Sequence, residues 1–301
     1  MREIEDIDTG AVSVGVPSLS IERPAVYVVA TPIGNLADIG QRAVAILGQV
    51  DYILCEDTRH SRPLLEHYGI ATRTMALHEH NERQVAAGFV RRLQERAESC
   101  ALISDAGTPL ISDPGFVLVR SAVEAGLKII GIPGPCALVA ALSIAGLPTD
   151  RFVFEGFLPS AAGPRSARLE RLAGEVRTMI FYEAPHRLMA TVGSLCTAFG
   201  ATRDAVVVRE LSKRFETVYR APLGQLEATL AADPNAARGE QVILVAGAPV
   251  LDESQAEIDR MLEVVFKHTD RKTAIRIVST LTGVGRNALY QRLLELERGG
   301  D

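Results

Sequence analysis

Tryptophan is absent from the 301-residue sequence, and phenylalanine and tyrosine together make up only 5% of it. No run of eighteen uncharged apolar residues occurs, which argues against a membrane-spanning helix. Residues 1–22 are acidic and mixed and lack the basic start and apolar stretch of a secretory signal, so we expect them to form a mobile leader. These absences favour a soluble, cytoplasmic protein.

Cysteine is also scarce, and its pattern excludes several kinds of site. The four cysteines, Cys55, Cys100, Cys136 and Cys196, form no CxxC pair, and no histidine spacing is typical of zinc. We therefore expect reduced, mostly buried thiols and no metal. The formal net charge of −5 argues against a protein that coats nucleic acid indiscriminately, but it permits RNA binding through a local basic patch.

Three widespread nucleotide and hydrolase motifs are missing as well. The dinucleotide fingerprint G-x-G-x-x-G does not follow the first predicted strand, and G-x-x-x-x-G-K-[ST] does not occur. The absence of G-x-S-x-G weakens a hydrolase interpretation. A ligand site in this chain must therefore use other loops.

Short β-rich runs alternate with amphipathic runs along most of the chain, which predicts an α/β protein with two lobes. We assign residues 23–147 to a first α/β domain, 148–250 to a second and 251–301 to a strand-free helical tail. Two neighbouring strands, Ala205–Arg209 and Phe215–Tyr219, predict a hairpin and hence a mixed sheet in the second lobe.

Small and polar residues follow four predicted strands of the first lobe. The four loops begin at Thr31, Glu56, Ser104 and Pro133. Ligands of open α/β sheets lie beyond the carboxyl ends of the strands, so these loops are expected to form one binding site. A single such loop would be an ordinary strand-to-helix turn, but four of them at one edge of a sheet favour a shared binding site.

The residues of these loops resemble the tetrapyrrole-methylase superfamily. The stretches that carry the likeness are Val28–Asp38 (VVATPIGNLAD), Cys55–His60 (CEDTRH), Ile103–Gly115 (ISDAGTPLISDPG), Gly134–Ala137, Ala145–Pro159, Phe181–Arg187, Arg209–Lys213 and Gly239–Glu240. Within the superfamily they are most similar to the ribosomal RNA small subunit methyltransferase I branch. Ring-methylating relatives usually carry Gly-Asp-Pro where this chain has Gly107, Thr108 and Pro109, which favours the RNA branch.

The resemblance implies a two-lobed methyltransferase, usually a homodimer, that binds S-adenosylmethionine between the lobes. It implies 2′-O-methylation of a cytidine in 16S rRNA near the decoding centre, on free rRNA or on the small ribosomal subunit. The residues expected to surround the methyl donor are Pro32, Asp105, Ala106, Gly107, Thr108, Ile111, Cys136, Ala137, Phe181, Tyr182, Leu211 and Val242.

A ribose hydroxyl is a poor nucleophile, so a general base would assist the transfer. The candidates are Glu56, Asp57, His60, Glu183, Glu210 and Lys213. A lysine base would require a pKa lowered by burial. The alternative is that Arg59, Arg187, Arg209 and Lys213 pair with Glu56, Asp57, Glu183 and Glu210 across the cleft, or that Arg59, Arg187 and Lys213 hold RNA.

The tail between Lys267 and Arg292 carries six basic residues and a single acid, Asp270. Apolar residues at Ala274, Ile277, Val278 and Leu281 are predicted to share one helical face, and a Gly-containing turn follows, as in a helix-turn-helix. The predicted RNA-binding residues of the tail are Lys267, Arg271, Lys272, Arg276 and Arg286. A solvated helical pair is the alternative interpretation.

Two further functions remain open at this stage. The chain could methylate a small tetrapyrrole with the same donor, although the basic tail and Thr108 count against it. It could also be a non-enzymatic RNA-binding assembly factor that retains the fold.

Overall fold

The computed structural model describes residues 20–249 and 253–298; residues 1–19, which make up most of the predicted leader, lie outside them. The strands are β1 Ala25–Val29, β2 Tyr52–Cys55, β3 Thr74–Ala76, β4 Ser99–Leu102, β5 Lys128–Ile132, β6 Phe152–Phe157, β7 Thr178–Glu183, β8 Asp204–Arg209, β9 Thr217–Pro222 and β10 Gln241–Val245. The α-helices are α1 Gln41–Leu47, α2 Thr58–His67, α3 Glu82–Arg96, α4 Phe116–Glu124, α5 Ala137–Ala145, α6 Ala162–Leu172, α7 Leu188–Phe199, α8 Leu223–Ala231, α9 Glu253–Phe266, α10 Arg271–Thr282 and α11 Arg286–Arg298.

The first lobe is built on a parallel sheet in the order β3-β2-β4-β1-β5. The central strands β2 and β4 are buried along their whole length, whereas the edge strand β5 is partly exposed. Apolar clusters lie on both faces of the sheet, as expected for a parallel sheet covered by helices. The carboxyl ends of β1, β2, β4 and β5 therefore meet at one edge.

The second lobe contains a mixed sheet in the order β6-β7-β10-β8-β9. Strands β6 and β7 are parallel, while β10 pairs antiparallel with both β7 and β8. Strands β8 and β9 form an antiparallel hairpin with Arg209 opposite Thr217. The predicted hairpin and the predicted two-sheet α/β architecture are both confirmed.

Helix α5 connects the two sheets. Its residues Leu138, Ala141 and Leu142 share one apolar cluster with Val206 of β8 and Val242 of β10. The cluster buries one face of the second sheet against a helix that directly follows β5 of the first. Both sheets belong to one compact unit, residues up to 173 and 177–246.

The starts of two helices in the first lobe determine which residues reach the site. Helix α1 begins at Gln41 after Gly40, and Asp38 ends a short 3-10 turn capped by Asn35. Helix α2 begins at Thr58, with the Asp57 carboxylate accepting a hydrogen bond from the Arg59 amide. Arg59 and His60 therefore lie in the first turn of a helix.

Residues 174–176 and 247 onward form a second compact unit, in which the described helices are α9, α10 and α11. Its core contains Ile258, Leu262 and Leu289 among others. On α10 the buried residues are Ala274, Ile275 and Val278, whereas Leu281 is 68% exposed. The predicted inclusion of Leu281 in the buried face is wrong because this residue lies in the last turn, facing solvent.

Cys55 and Cys100 are buried and Cys136 and Cys196 half-buried, all with free thiols. Among the described residues, none of the helices is sufficiently long and apolar for a bilayer. The same residues contain no group of three or more histidine, cysteine, aspartate or glutamate side chains placed to bind a metal ion.

Candidate active site

The loop from Ser104 to Gly115 is fixed to the ends of two neighbouring strands. Thr31 and Gly107 exchange backbone hydrogen bonds of 2.8 and 3.1 Å. The Thr108 hydroxyl donates to the Pro135 carbonyl oxygen at 3.0 Å, which joins the loop to the segment after β5. Gly107 has φ +82°, and a Cβ there would lie 3.2 Å from Ile33 Cγ2. Glycine is therefore required for the close approach of the two loops.

A cavity of about 360 Å³, which we call the interlobe cleft, lies between this loop and the second sheet. Such a volume is in the range of small-molecule sites. The residues that line it are Ile33, Ala106–Thr108, Ile111–Asp113, Cys136, Ala137, Phe157, Tyr182–Pro185 and Glu240–Val242. Both lobes contribute, and the lining is mainly backbone and apolar side chains.

Most residues predicted to surround the methyl donor meet in this cleft. The eight that line it are Ala106, Gly107, Thr108, Ile111, Cys136, Ala137, Tyr182 and Val242. Pro32 and Asp105 line an adjacent cavity instead. Leu211 packs against the apolar cluster around α5 without lining the cleft. The strand-end pattern therefore identifies loops that meet at this cleft, but it does not specify which residues of each loop line it.

Phe181 does not line the interlobe cleft. It is fully buried in the core cluster on the opposite face of the second sheet, with Leu188 and Ile243. Successive side chains of a strand point to opposite faces, so only one of Phe181 and Tyr182 can reach the cleft. Phe157, Gln241 and Asp113 line the cleft but were not predicted. Phe157 lies in the Ala145–Pro159 stretch that carries the family likeness, so that motif could have revealed it.

Three polar groups in the lining of the cleft have unusual surroundings. The Tyr182 hydroxyl accepts a hydrogen bond from the Leu138 amide at 3.1 Å, and burial raises the pKa of Tyr182 to about 12. Burial also raises the pKa of Asp113 to about 6. Gln241 is 3% exposed, and its Oε1 atom is buried with no partner. The Gln241 side chain is directed to the loop before β10, where its Nε2 atom donates to the Ala236 carbonyl oxygen at 2.9 Å, so the acceptor that the cleft itself offers is the Asp113 carboxylate.

A second cavity of about 500 Å³, which we call the charged chamber, adjoins the interlobe cleft. The residues that line it are Pro32–Gly34, Leu36, Arg59–Ser61, Pro63, Leu64, Ser104–Ala106, Lys213 and Glu240. Ile33, Ala106 and Glu240 line both cavities. A reacting group in the chamber would therefore lie next to a molecule in the cleft.

Lys213 is held in place by two carboxylates. Its Nζ atom donates to Glu210 Oε1 and Glu240 Oε2, each at 3.0 Å. Its aliphatic stem lies over Gly34, where a Cβ would come within 2.4 Å of Lys213 Cε. Burial lowers the pKa of Lys213, but the hydrogen bonds to Glu210 and Glu240 outweigh burial and raise it. The lowered pKa that a lysine base would require is therefore absent, and Lys213 is a cation.

Glu183 lines the interlobe cleft, but its carboxylate is already engaged. Oε1 accepts from the Ala184 amide at 2.8 Å and lies 3.2 Å from Arg187 Nε, while Oε2 accepts from Thr191. Arg187 also donates to the Leu158 carbonyl oxygen at 2.6 Å. These contacts give Glu183 and Arg187 a structural role. They occupy the Glu183 oxygens that would accept a proton and the Arg187 donors that would bind an RNA phosphate.

The remaining base candidates follow β2. The Arg59 guanidinium lies 2.9 Å from Asp57, and this hydrogen bond holds the pKa of Asp57 at about 2. Burial and then the Asp105 carboxylate raise the pKa of Glu56, which lines neither cavity. His60 is exposed and lines the charged chamber. The predicted ion pairs of Arg59, Arg187 and Lys213 thus form with carboxylates of their own lobe and not across the cleft.

The predicted basic residues of the tail fall into two groups. Lys267, Lys272, Arg276 and Arg286 are exposed. The Arg271 guanidinium lies 6.0 Å from the Phe266 ring centroid and 5.9 Å from that of Tyr290. Arg292, which contributes to the charge excess, is paired with Asp259 and Glu295 at 2.7 Å. Four of the five predicted RNA-binding cations of the tail are therefore exposed.

Two family models match the sequence. The first, Tetrapyrrole (Corrin/Porphyrin) Methylases, covers residues 25–227, and the second, the RsmI C-terminal HTH domain, covers residues 252–297. The helix-turn-helix resemblance of the tail is therefore confirmed. The first model covers the first lobe and most of the second, up to residue 227, and the second covers the helical unit.

Individual proteins agree with the models. Ribosomal RNA small subunit methyltransferase I of Pseudomonas aeruginosa is 52% identical over 272 residues, which are 89% of this chain and 96% of that protein. A cobalt precorrin-4 methyltransferase has a similar structure, with a TM-score of 0.55 at 16% identity, covering 74% of this chain and 94% of that one. Uroporphyrin-III C-methyltransferase from Thermus thermophilus complexed with S-adenosylhomocysteine gives a TM-score of 0.50 at 17% identity, covering 74% and 97%. The solved structures establish the fold.

Proposed function

Because the chain belongs to the ribosomal RNA small subunit methyltransferase I family of tetrapyrrole methylases, we propose that it transfers a methyl group from S-adenosylmethionine to the ribose 2′-hydroxyl of a cytidine in 16S rRNA near the decoding centre. The observation that carries this proposal is the pair of adjoining cavities that share Ile33, Ala106 and Glu240. One cavity suits a small, partly apolar molecule and the other suits a charged one.

The lining of the interlobe cleft fits S-adenosylmethionine. Ala106, Gly107, Cys136 and Ala137 are small and leave room for a flat base, and Val242 adds an apolar wall. The Asp113 carboxylate lines the same cleft and suits a positively charged ligand. When bound, S-adenosylmethionine supplies an electrophilic methyl group on a sulfonium.

The chain's own residues have three tasks in the transfer. The cleft and chamber orient the two reactants, and well-oriented groups reach effective molarities of about 10⁵–10⁸ M. The Lys213 ammonium provides a fixed positive charge beside the acceptor strand. His60 accepts the proton that the 2′-hydroxyl loses, because it lines the chamber and its imidazole forms no hydrogen bond with any described residue.

RNA binding extends to the helical unit. Lys267, Lys272, Arg276 and Arg286 are exposed, and such cations contact phosphates independently of base sequence. They allow a net-acidic chain to hold a polyanion. A cytoplasmic location and a homodimer are part of the proposal; the dimer is supported by the family resemblance and is measured by light scattering.

The test is the transfer of labelled methyl to small ribosomal subunits that lack the modification. We expect incorporation into 16S rRNA and a methylated nucleotide that resists alkaline cleavage, since that cleavage requires a free 2′-hydroxyl. Replacing Lys267, Lys272, Arg276 and Arg286 by alanine is expected to raise the KM for subunits while the donor Kd measured by calorimetry stays the same.

Three results would contradict the proposal. Methylation of a base would exclude the 2′-hydroxyl, and transfer to corrinoid precursors in place of subunits would indicate a small-molecule acceptor. Absence of donor binding would leave only an RNA-binding assembly role.

A further inference from the structure

A third cavity of about 270 Å³ lies between the β8–β9 turn and the loop that precedes β10. We call it the arginine pocket, and the residues that line it are Arg209, Glu210, Phe215, Asn235, Arg238 and Gly239. It shares no lining residue with the interlobe cleft or with the charged chamber. None of the roles proposed above uses this cavity.

Arg209 brings a buried positive charge to the pocket. It is 7% exposed, and its guanidinium donates to the carbonyl oxygens of Asn235 at 3.0 Å and Phe215 at 3.1 Å and to the Thr217 hydroxyl at 3.2 Å. The carboxylates of Glu210 and Asp233 interact with this charge electrostatically, but its direct hydrogen bonds are to neutral oxygens and its Nε atom is buried without a partner. Burial of a cation without a directly bonded carboxylate is costly, so a further anion beside it would be stabilising.

An exposed aromatic ring lies at the same pocket. Phe215 is 62% exposed, and the Arg214 guanidinium lies 5.6 Å from its ring centroid. Arg238 is exposed and has no ion pair with any other described side chain. Aromatic rings beside arginines bind single-stranded RNA through base stacking and phosphate contacts.

The arginine pocket is separated from the charged chamber by one ion pair. Glu210 lines the pocket, and its Oε1 atom accepts a hydrogen bond at 3.0 Å from Lys213, which lines the chamber. A strand whose acceptor nucleotide occupies the chamber would therefore pass the arginine pocket with an adjoining nucleotide. Lys213 of the chamber and Phe215 of the arginine pocket lie on the same turn between β8 and β9.

We propose that the arginine pocket binds a nucleotide of the RNA strand next to the one that is methylated, with its base on Phe215 and its phosphate near Arg209 and Arg238. This inference rests on the proposed rRNA acceptor. The pocket then selects single-stranded RNA, because a base within a duplex cannot leave its stack to cover the ring.

Co-sedimentation of the full chain with unmodified small ribosomal subunits tests the pocket without requiring methyl transfer. Phe215→Ala and Phe215→Leu are expected to weaken binding about tenfold, whereas Phe215→Tyr keeps the ring and stays within about twofold of the unaltered chain. Leucine retains apolar volume without a flat face, so it separates stacking from simple burial. Arg238→Ala, compared with Arg238→Lys, is expected to reduce the salt dependence of log Kd by about 0.7.

The outcomes separate the two hypotheses. Equal binding by the alanine, leucine and tyrosine variants would overturn the inference about the arginine pocket. Tight binding of subunits by the unaltered chain without methyl transfer would overturn the proposed function and leave the pocket as an RNA site. A chain that does not bind subunits at all would overturn both.

Discussion

The interlobe cleft and the charged chamber share three lining residues but are built from different materials. The cleft is lined by backbone and small or apolar side chains of two loops that Thr31 and Thr108 fasten together. The chamber has five ionisable residues in its lining, namely Arg59, His60, Asp105, Lys213 and Glu240. The cleft is therefore the more apolar cavity and the chamber the more highly charged one.

The difference follows from what each cavity would hold. A methyl donor is a single small molecule, so a largely pre-formed pocket can be complementary to its shape. An RNA acceptor is large and polyanionic, and exposed charges position it through its phosphates. Substitutions in the cleft should therefore change donor affinity, whereas substitutions in the chamber should change turnover or acceptor affinity.

The largest effect is expected for His60→Ala. If His60 accepts the proton of the ribose hydroxyl, kcat falls about 10²–10⁴-fold, while the donor Kd is unchanged because His60 does not line the cleft. Single-turnover methyl transfer and calorimetry measure the two quantities on the same preparation.

His67→Ala is the matched control, since His67 is an exposed histidine of the same helix that lines neither the cleft nor the chamber. Its kcat should equal that of the unaltered chain. A kcat of His60→Ala within threefold of this control would rule out His60 as the base and direct attention to Asp105, which also lines the chamber.

Gly107→Val tests the other side of the comparison. Valine at φ +82° is strained, and its Cβ would crowd Ile33. Backbone strain of this kind costs about 1–3 kcal/mol, which corresponds to about 5–150-fold weaker donor binding if the loop must adopt the same conformation to bind. Calorimetric titration of the donor gives the value.

Gly126→Val provides the control for strain alone. Gly126 has φ +73°, with nothing within 4 Å of a built Cβ, and it does not line the cleft. Thermal unfolding should show comparable destabilisation of both variants, but only Gly107→Val should lose donor affinity. Equal donor affinity in the two variants would mean that the cleft is not shaped by the backbone at Gly107.

Local pattern was sufficient to predict most strands and the convergence of four loops, because hydrophobic periodicity and strand-end residues are local features. The order β3-β2-β4-β1-β5 was not predicted, since it depends on pairing between residues far apart in sequence. Asp57, a candidate base from the sequence, caps helix α2 and pairs with Arg59, contacts that the strand-end pattern does not specify.

The site shows the same division between local and distant determinants. Periodicity places Phe181 and Tyr182 on opposite faces of β7, but only the packing of the sheet decides which face meets the cleft. The charge of Lys213 depends on Glu210 from its own turn and on Glu240, which is 27 residues away. Its raised pKa could not be inferred from the neighbouring sequence.

The smallest effect concerns a titratable group in the cleft. Burial raises the pKa of Asp113 to about 6, so in the donor-free chain this carboxyl is protonated below that pH and ionised above it. A positively charged donor favours the ionised form. Donor affinity should therefore be highest above about pH 6 and decline, by less than about tenfold per pH unit, as the pH falls through that value. The contribution of Asp113 to the folding stability of the donor-free chain has the opposite pH dependence. Because burial penalises the ionised form, this contribution becomes more favourable as the pH falls through about 6 towards 3.8, the ordinary pKa of an aspartate. Calorimetry between pH 5 and 7.5 with Asp113→Asn as the comparison isolates this group, since the amide cannot titrate. An equal decline in both proteins would place the charge response of the cleft on another residue, and the cleft would then differ from the chamber by shape alone.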